Sequence, residues 1–289
     1  MTVRFSKAEP TGLCFGVKRA IAQMEKALSS DGELYCVGSP IHNPQEIARL
    51  AQKGLRVVAS PQDVPSGSTV FIRAHGIAPD LRNALKQRNV RIIDGTCPFV
   101  RGAQARAKAL EDEGYSVVVA GDASHPEVIS IVGGLQNGAK VVSNSTDLQD
   151  LAKIERIGLV SQTTLPEDLF ASIVSAAVRI SPDVKAHNTI CRATFERQRA
   201  VAELVKRTDG IVVIGGRDSA NTAKLFHIAK SCGADVLWIE EAGELDGKWF
   251  TGKTHVGIAA GASTPDWLIE EFIQAARQAV DVKGDVRSE

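Results

Sequence analysis

The sequence predicts an α/β protein: three similar small α/β units with mostly parallel sheets, set around a pseudo-threefold axis. Three observations carry this. Apolar strand patterns and amphipathic helix patterns alternate along the chain, which is how parallel sheets covered by helices read in sequence. Three of the five cysteines, Cys14, Cys97 and Cys191, each open a helical segment. Each of those helices then leads to a short apolar strand ending in a glycine, and Gly38, Gly121 and Gly215 all lie 24 residues beyond their cysteine. Gap-free agreement at three places marks an internal repeat.

The first unit, residues 14–96, begins with the helix FGVKRAIAQMEKAL and the strand LYCVG. The second, 97–190, begins with PFVRGAQARAKALE and VVVAG, and the third, 191–280, with RATFERQRAVAELV and IVVIG. A polar side chain follows 28 residues after each cysteine, namely His42, His125 and Ser219, and each precedes a further helix. The second halves are looser. An apolar strand runs into a polar turn and a helix at VFIRAHGIAPDL, IGLVSQTTLPEDL and VGIAAGASTPDWL, with His75, Thr163 and Ser263 in the turns. The first two units close with the strands VRIIDGTC and VKAHNTIC. The third has no such strand, and VRFSKAEPTGLC at the N-terminus has the matching shape, so residues 1–13 are expected to complete the third sheet. Residues 281–289 read as a fraying tail.

Composition narrows the function. Lys+Arg and Asp+Glu both number 34 in 289 residues, so no general basic field exists to hold nucleic acid or an anionic membrane. The N-terminus lacks the apolar stretch of a signal peptide, and no apolar run reaches the length of a membrane span. The expected location is cytoplasmic, where thiols stay reduced. An odd number of cysteines without a CxxC pair is neither a disulfide framework nor a zinc knuckle. Cys36 lies within the strand LYCVG, where the repeat partners are Val119 and Val213, and reads with Cys232 as structural.

In open parallel sheets ligands collect beyond the carboxyl ends of the strands. The three repeated cysteines and the polar turns fall there, and a threefold arrangement gathers Cys14, Cys97 and Cys191 at the centre. Three thiolates in a reducing compartment suit an iron–sulfur cluster. A 4Fe-4S cluster with three protein thiolates keeps one iron open as a Lewis acid. His42, His75, Ser219, Asn221 and Ser263 are hydrogen-bond donors at or near helix starts, a setting for an anionic, oxygen-rich substrate. No GxxxxGK[ST] loop is present, so this is not a P-loop site. Glu127, after His125-Pro126, is placed to donate a proton to a leaving hydroxyl, although a carboxylate in a first helical turn also serves the helix dipole. A zinc deaminase reading of His125-Pro126-Glu127 fails for want of a following PCxxC. A non-catalytic iron–sulfur sensor would need neither the acid nor the ring of anion donors.

The motifs GLCFGV (12–17), IHNP (41–44), AHG (74–76), DGTCP (94–98), HPEV (125–128), SQTT (161–164), NTIC (188–191) and GASTPD (261–266) occur in this order. Together they resemble the 4-hydroxy-3-methylbut-2-enyl diphosphate reductase family, the iron–sulfur reductases of the non-mevalonate isoprenoid pathway, over about residues 3–280. The resemblance implies reductive dehydroxylation of (E)-4-hydroxy-3-methylbut-2-enyl diphosphate to isopentenyl and dimethylallyl diphosphate. It implies one 4Fe-4S cluster held by Cys14, Cys97 and Cys191, the substrate hydroxyl on its open iron, and a proton from Glu127. It puts His125 and Thr163 near the reacting end, and His42, His75, Ser219, Asn221 and Ser263 on the diphosphate. A ferredoxin or flavodoxin is the implied electron donor. The chain departs from the family pattern at Leu13, at Ile129-Ser130 after HPEV, and at Ala220. Ala220 stands in the substrate-binding stretch where members often carry Ser, which removes one hydroxyl contact to the diphosphate.

Overall fold

The computed structural model describes residues 3–151 and 154–285, with the side chains of 220 and 280–285 outside the description. In chain order the elements begin with β1 (Arg4–Lys7), α1 (Phe15–Asp31), β2 (Leu34–Val37), α2 (Pro44–Gln52), β3 (Leu55–Val58), β4 (Thr69–Ile72), α3 (Pro79–Gln87) and β5 (Arg91–Asp94). There follow α4 (Pro98–Asp112), β6 (Ser116–Ala120), α5 (Pro126–Val132), β7 (Lys140–Val142), β8 (Arg156–Ser161), α6 (Glu167–Ile180) and β9 (Asp183–His187). The chain continues with α7 (Arg192–Val205), β10 (Gly210–Ile214), α8 (Ala220–Ser231), β11 (Val236–Ile239), β12 (His255–Ala260) and α9 (Asp266–Asp285).

The strands form three four-stranded sheets, ordered β3-β2-β4-β5, β7-β6-β8-β9 and β11-β10-β12-β1. Every pairing is parallel. The N-terminal segment does complete the third sheet, with Phe5 opposite Val256 and Lys7 opposite Ile258. The repeat survives as sheet register. Cys36, Val119 and Val213 occupy one position, facing Phe71, Val160 and Ala259 on the next strand. Strands β6, β8 and β10 are buried almost throughout, as sheets covered on both faces require.

The sequence reading missed β3, β7 and β11. Each has only three or four residues, stands at the edge of its sheet and is half-exposed; even the apolar run VLWI of β11 is too short to tell a strand from a helix segment by pattern alone. At the other end of the chain, α9 runs on to Asp285, past the start of the expected tail at 281, and residues 286–289 lie outside the described ones.

By compactness the chain divides into two units. The terminal unit comprises Met1–Lys18, Ile41–Arg49 and Arg192–Glu289, and contains the third sheet. Its core has two layers: Val212, Ile214 and Ile258 pack with Ile269 and Phe272 of α9, while Ile211 and Val213 pack with Val201 and Leu204 of α7 and Leu225 of α8. The central unit comprises Arg19–Pro40 and Leu50–Cys191, and contains the other two sheets. There Val118, Ala120 and Leu159 pack on Phe170 and Ile173 of α6, and Val117, Val119 and Val160 on Ala103, Ala107 and Leu110 of α4.

Candidate active site

The three repeated cysteines share one backbone socket. The amide of Cys14 donates to the carbonyl of Ala262 at 3.0 Å, that of Cys97 to Ala74 at 2.9 Å, and that of Cys191 to Thr163 at 2.7 Å. Each acceptor lies two residues past the end of its strand, at Ala260, Ile72 and Ser161. The chain leaves the sheet, turns, and receives the next cysteine at the start of a helix. The thiols of Cys14, Cys97 and Cys191 are half-buried, and none of the five cysteines is in a disulfide. Cys36 differs: it is fully buried, and burial pushes its thiol up to about 12. That suits a strand filler and not a metal ligand.

Local chemistry builds these sockets. Before Cys97, the amide and hydroxyl of Thr96 donate to Asp94 at 3.0 and 2.6 Å, and Arg82 and Arg101 pair with the same carboxylate. Burial alone would raise the Asp94 pKa, but the Thr96 and Arg82 hydrogen bonds hold it at about 2. Gly95 is required at the next position, since a Cβ there would come within 2.1 Å of the Phe71 ring. Before Cys191, the Thr189 hydroxyl accepts from the amide of Ser161 at 2.8 Å and donates to its carbonyl at 2.5 Å.

In the central unit the acid is turned inward. Glu127 is 1% exposed. One carboxylate oxygen accepts from the amide of Thr163 and the other from its hydroxyl, both at 2.7 Å. Burial pushes the Glu127 pKa up, while the two Thr163 hydrogen bonds pull against it; the net direction is upward. His125 caps α5, its Nδ1 accepting from the amide of Glu127 at 3.2 Å, so the neutral ring carries its proton on Nε2. The ring of His75 meets that of His125 edge-on, with centroids 5.4 Å apart. Ser130, 2% exposed, lies 2.7 Å from the carbonyl of Glu127 and 3.0 Å from that of His75, and accepts from Gln104 of α4 at 3.1 Å. Glu127, Thr163, His125, His75, Cys97 and Cys191 thus belong to one connected set.

In the terminal unit the polar turns form a second set. The hydroxyl of Ser263 donates to the carbonyl of His42 at 2.9 Å. Glu46, 1% exposed, accepts from Trp267 Nε1 and from Arg49, both at 2.8 Å, and so clips the start of α2 to the start of α9. Asn43 caps α2 through the amide of Glu46 at 2.8 Å. Ser219 caps α8, accepting from the amide of Thr222 at 3.3 Å. Asn221 stands apart: its amide oxygen and nitrogen are both buried and make no hydrogen bond among the described residues. A buried carboxamide without partners costs free energy unless a ligand satisfies it. The side chain of Ala220 lies outside the described residues.

One register differs from the sequence reading. Counted from the strand ends, Thr163 occupies the place of Ala74 and Ala262, whose carbonyls hold the cysteines. The residue matching His75 and Ser263 by that count is Thr164, whose hydroxyl accepts from Gln162 at 2.9 Å. Sequence reasoning also passed over Glu46, Trp267 and Ser130. Besides nearer contacts, Glu46 and Trp267 meet each other across 221 residues and Ser130 meets the carbonyl of His75 across 55, beyond any local signal.

The described residues thus show three parallel sheets, a backbone socket repeated at three cysteines, a buried acid in the central unit and an unsatisfied amide in the terminal unit. The profile of the LytB protein family matches residues 5–277, and the chain belongs to that family. It is 42% identical over 268 residues to the 4-hydroxy-3-methylbut-2-enyl diphosphate reductase of Aquifex aeolicus (strain VF5), spanning 91% of this chain and 92% of the relative. The enzyme of the same name from Geobacter sp. (strain M21) is 40% identical over 266 residues, spanning 92% of this chain and 94% of the relative. A solved (E)-4-hydroxy-3-methyl-but-2-enyl diphosphate reductase, described as the terminal enzyme of the non-mevalonate pathway, superposes with a TM-score of 0.78 at 40% identity, covering 96% of this chain and 100% of that one. The corresponding Plasmodium falciparum reductase superposes with a TM-score of 0.86 at 26% identity, over 95% and 88% of the two chains. These findings agree with the resemblance carried by the eight motifs.

Proposed function

We propose that this chain catalyses the reductive dehydroxylation of (E)-4-hydroxy-3-methylbut-2-enyl diphosphate to isopentenyl and dimethylallyl diphosphate, consuming two electrons and two protons and releasing water. The observation that carries the reading is the clasp between Glu127 and Thr163. A carboxyl this deeply buried, with a raised pKa and no cationic partner among the described residues, is suited to hold a proton for delivery.

Cys14, Cys97 and Cys191 hold a 4Fe-4S cluster. The donor set fits: three soft, half-buried thiols, each at the mouth of an identical backbone socket. When bound, such a cluster supplies the electrons and, with one iron lacking a protein thiolate, a Lewis acid. The rest is the work of side chains. His42, Ser263, Ser219 and Asn221 in the terminal unit, with His75, bind the diphosphate oxygens; Ala220 adds no hydroxyl to that set. His125 and Thr163 orient the reacting end. Glu127 protonates the departing hydroxyl, since hydroxide leaves poorly and water leaves well. The reducing equivalents come from a ferredoxin or flavodoxin in the cytoplasm. Among the described residues no helix is long and apolar enough to cross a membrane.

The test is an anaerobic assay with a reduced dye and the allylic diphosphate, run alongside iron and sulfide analysis. The wild type should turn over and carry both elements. Replacing Cys14, Cys97 or Cys191 by Ser should lose or degrade the cluster, while Cys36→Ser and Cys232→Ser keep it. A fully loaded cluster in any of the three ligand variants, or no turnover by loaded wild type, would sink the reading.

A further inference from the structure

Arg73 lies one residue past the end of β4, at the carboxyl edge of the first sheet. Its guanidinium rests on Gly38, the residue after β2: a Cβ built there would come within 3.0 Å of one terminal nitrogen and 3.6 Å of Cζ. Gly38 has φ 72°, and the open space above its Cα is what admits the planar group. The backbone carbonyl of Arg73 accepts from the amide of Gly76 at 3.0 Å, closing the short turn that presents His75. Arg73 and His75 therefore belong to one rigid turn at the ligand-gathering end of the sheet.

What sets Arg73 apart is the absence of a partner. It is half-buried, its Nε is buried without a hydrogen bond, and the guanidinium makes no hydrogen bond or ion pair among the described residues. The other sheltered arginines among the described residues are all satisfied: Arg49 by Glu46, Arg82 by Asp94, Arg88 by the carbonyl of Val64, Arg197 by the carbonyls of Gly12, Leu13 and Ala193, and Arg19 by that of Thr96. The group whose charge acts on Arg73 is the Cys36 thiol, and burial pushes that thiol up to about 12, so it is neutral at working pH. Burial without a counter-charge lowers the arginine's pKa, yet guanidinium remains cationic under any working condition. A sheltered charge left unpaired costs free energy, and an anionic ligand offsets that cost.

We propose that Arg73 is a substrate-binding residue, its guanidinium joining His75 on the phosphate groups of the diphosphate and supplying permanent positive charge that Ser and Asn cannot. The planar fork of arginine donates two parallel hydrogen bonds to a phosphate, which a hydroxyl or carboxamide does not match.

This inference rests on the diphosphate reading above, and the experiment separates the two. The anaerobically purified, cluster-loaded enzyme is titrated with inorganic pyrophosphate by calorimetry at several salt concentrations, with Arg73→Met, Arg73→Lys and His75→Ala in parallel. Arg73→Met should weaken pyrophosphate about tenfold to a hundredfold and flatten the salt dependence. Its iron content should be unchanged and its Tm unchanged or raised, because removing an unpaired cation relieves the folded state. Arg73→Lys should recover part of the affinity. If loaded Arg73→Met binds pyrophosphate as tightly as wild type while His75→Ala does not, the role of Arg73 is overturned and the diphosphate reading stands. If neither variant changes the affinity, both fall. A Tm drop in Arg73→Met without weaker binding would make Arg73 structural and also overturn the proposal.

Discussion

The surroundings of Glu127 in the central unit and the polar turns of the terminal unit occupy the same topological place, past the carboxyl ends of parallel strands, and use polar side chains in opposite ways. Around Glu127 the polar groups satisfy one another. Both oxygens of Glu127 are taken by Thr163, and Ser130 bridges toward the carbonyls of Glu127 and His75. In the terminal unit the polar turns are fastened from behind by Glu46 and Trp267, while Asn221 is left with both amide atoms unsatisfied. On the reading proposed above, Glu127 is a proton donor, which works from a defined position and so benefits from closed surroundings. The terminal-unit turns are then an anion cradle, which leaves donors open for a ligand at a cost that binding offsets. The same fold supplies both, and the difference lies in which hydrogen bonds are already made.

The sharpest way to break that comparison is Glu127→Gln. Gln keeps the size and can meet Thr163, but has no acidic proton. Turnover should fall by roughly 10²–10⁴ with the cluster intact and the affinity for substrate near normal, measured by single-turnover assay beside iron analysis. Near-normal turnover would move the acid elsewhere.

A change at Asn221 tests the other half. Asn221→Ala should weaken pyrophosphate about tenfold without loss of iron. Because the wild-type amide is buried and unsatisfied, the variant should be no less stable in the absence of ligand; a marked fall in Tm would show that the amide is satisfied within the protein.

The pH dependence of stability separates the units further. Burial raises the pKa of Glu127 above its ordinary 4.5. The folded chain then holds this proton more tightly than the unfolded chain, so the contribution is most favourable below about 4.5 and is lost as pH rises through the raised folded value. Glu127→Gln should flatten that fall in denaturation profiles compared with wild type. Equal slopes would mean the carboxyl is not strained by burial.

The smallest effect is expected behind the cradle. Trp267→Phe removes the indole hydrogen bond to Glu46 but leaves Arg49 on the carboxylate, and should cost about 1 kcal/mol of stability. Pyrophosphate affinity should fall only in proportion to any loosening between the His42 and Ser263 turns. Chemical denaturation and titration of the same preparation would show whether the two changes track.

How much of this was legible beforehand depended on sequence separation. The cysteines, the strand-end glycines and the residues 28 past each cysteine lie within gap-free stretches, so the repeat showed in plain counting. The second halves do not keep step: Pro79 comes seven residues after Ile72, whereas Pro166 and Pro265 come five after Ser161 and Ala260. Only the first unit is longer there; the register of Thr163 was missed because the strand ends from which the turns are counted are not marked in the sequence, and Thr163 proved to hold Cys191 by its carbonyl while holding Glu127 by its amide and hydroxyl. The clasp joins residues 36 apart and the Glu46–Trp267 clip residues 221 apart, and neither leaves a periodic trace. The missing partner of Arg73 is invisible to sequence for a simpler reason. Whether an arginine meets a counter-charge depends on which segments the fold brings beside it, and its neighbours in sequence do not say.

The socket shared by the three cysteines has a consequence for the life of the protein. Each of these cysteines is anchored through its own amide to a carbonyl just past the end of a strand in its own unit, so its location is inherited from backbone pairing. Under the cluster reading proposed above, loss of metal to oxygen should therefore leave each cysteine at its own strand end. A chain damaged in that way would be repairable in place, by resupply of iron and sulfide, without being made anew.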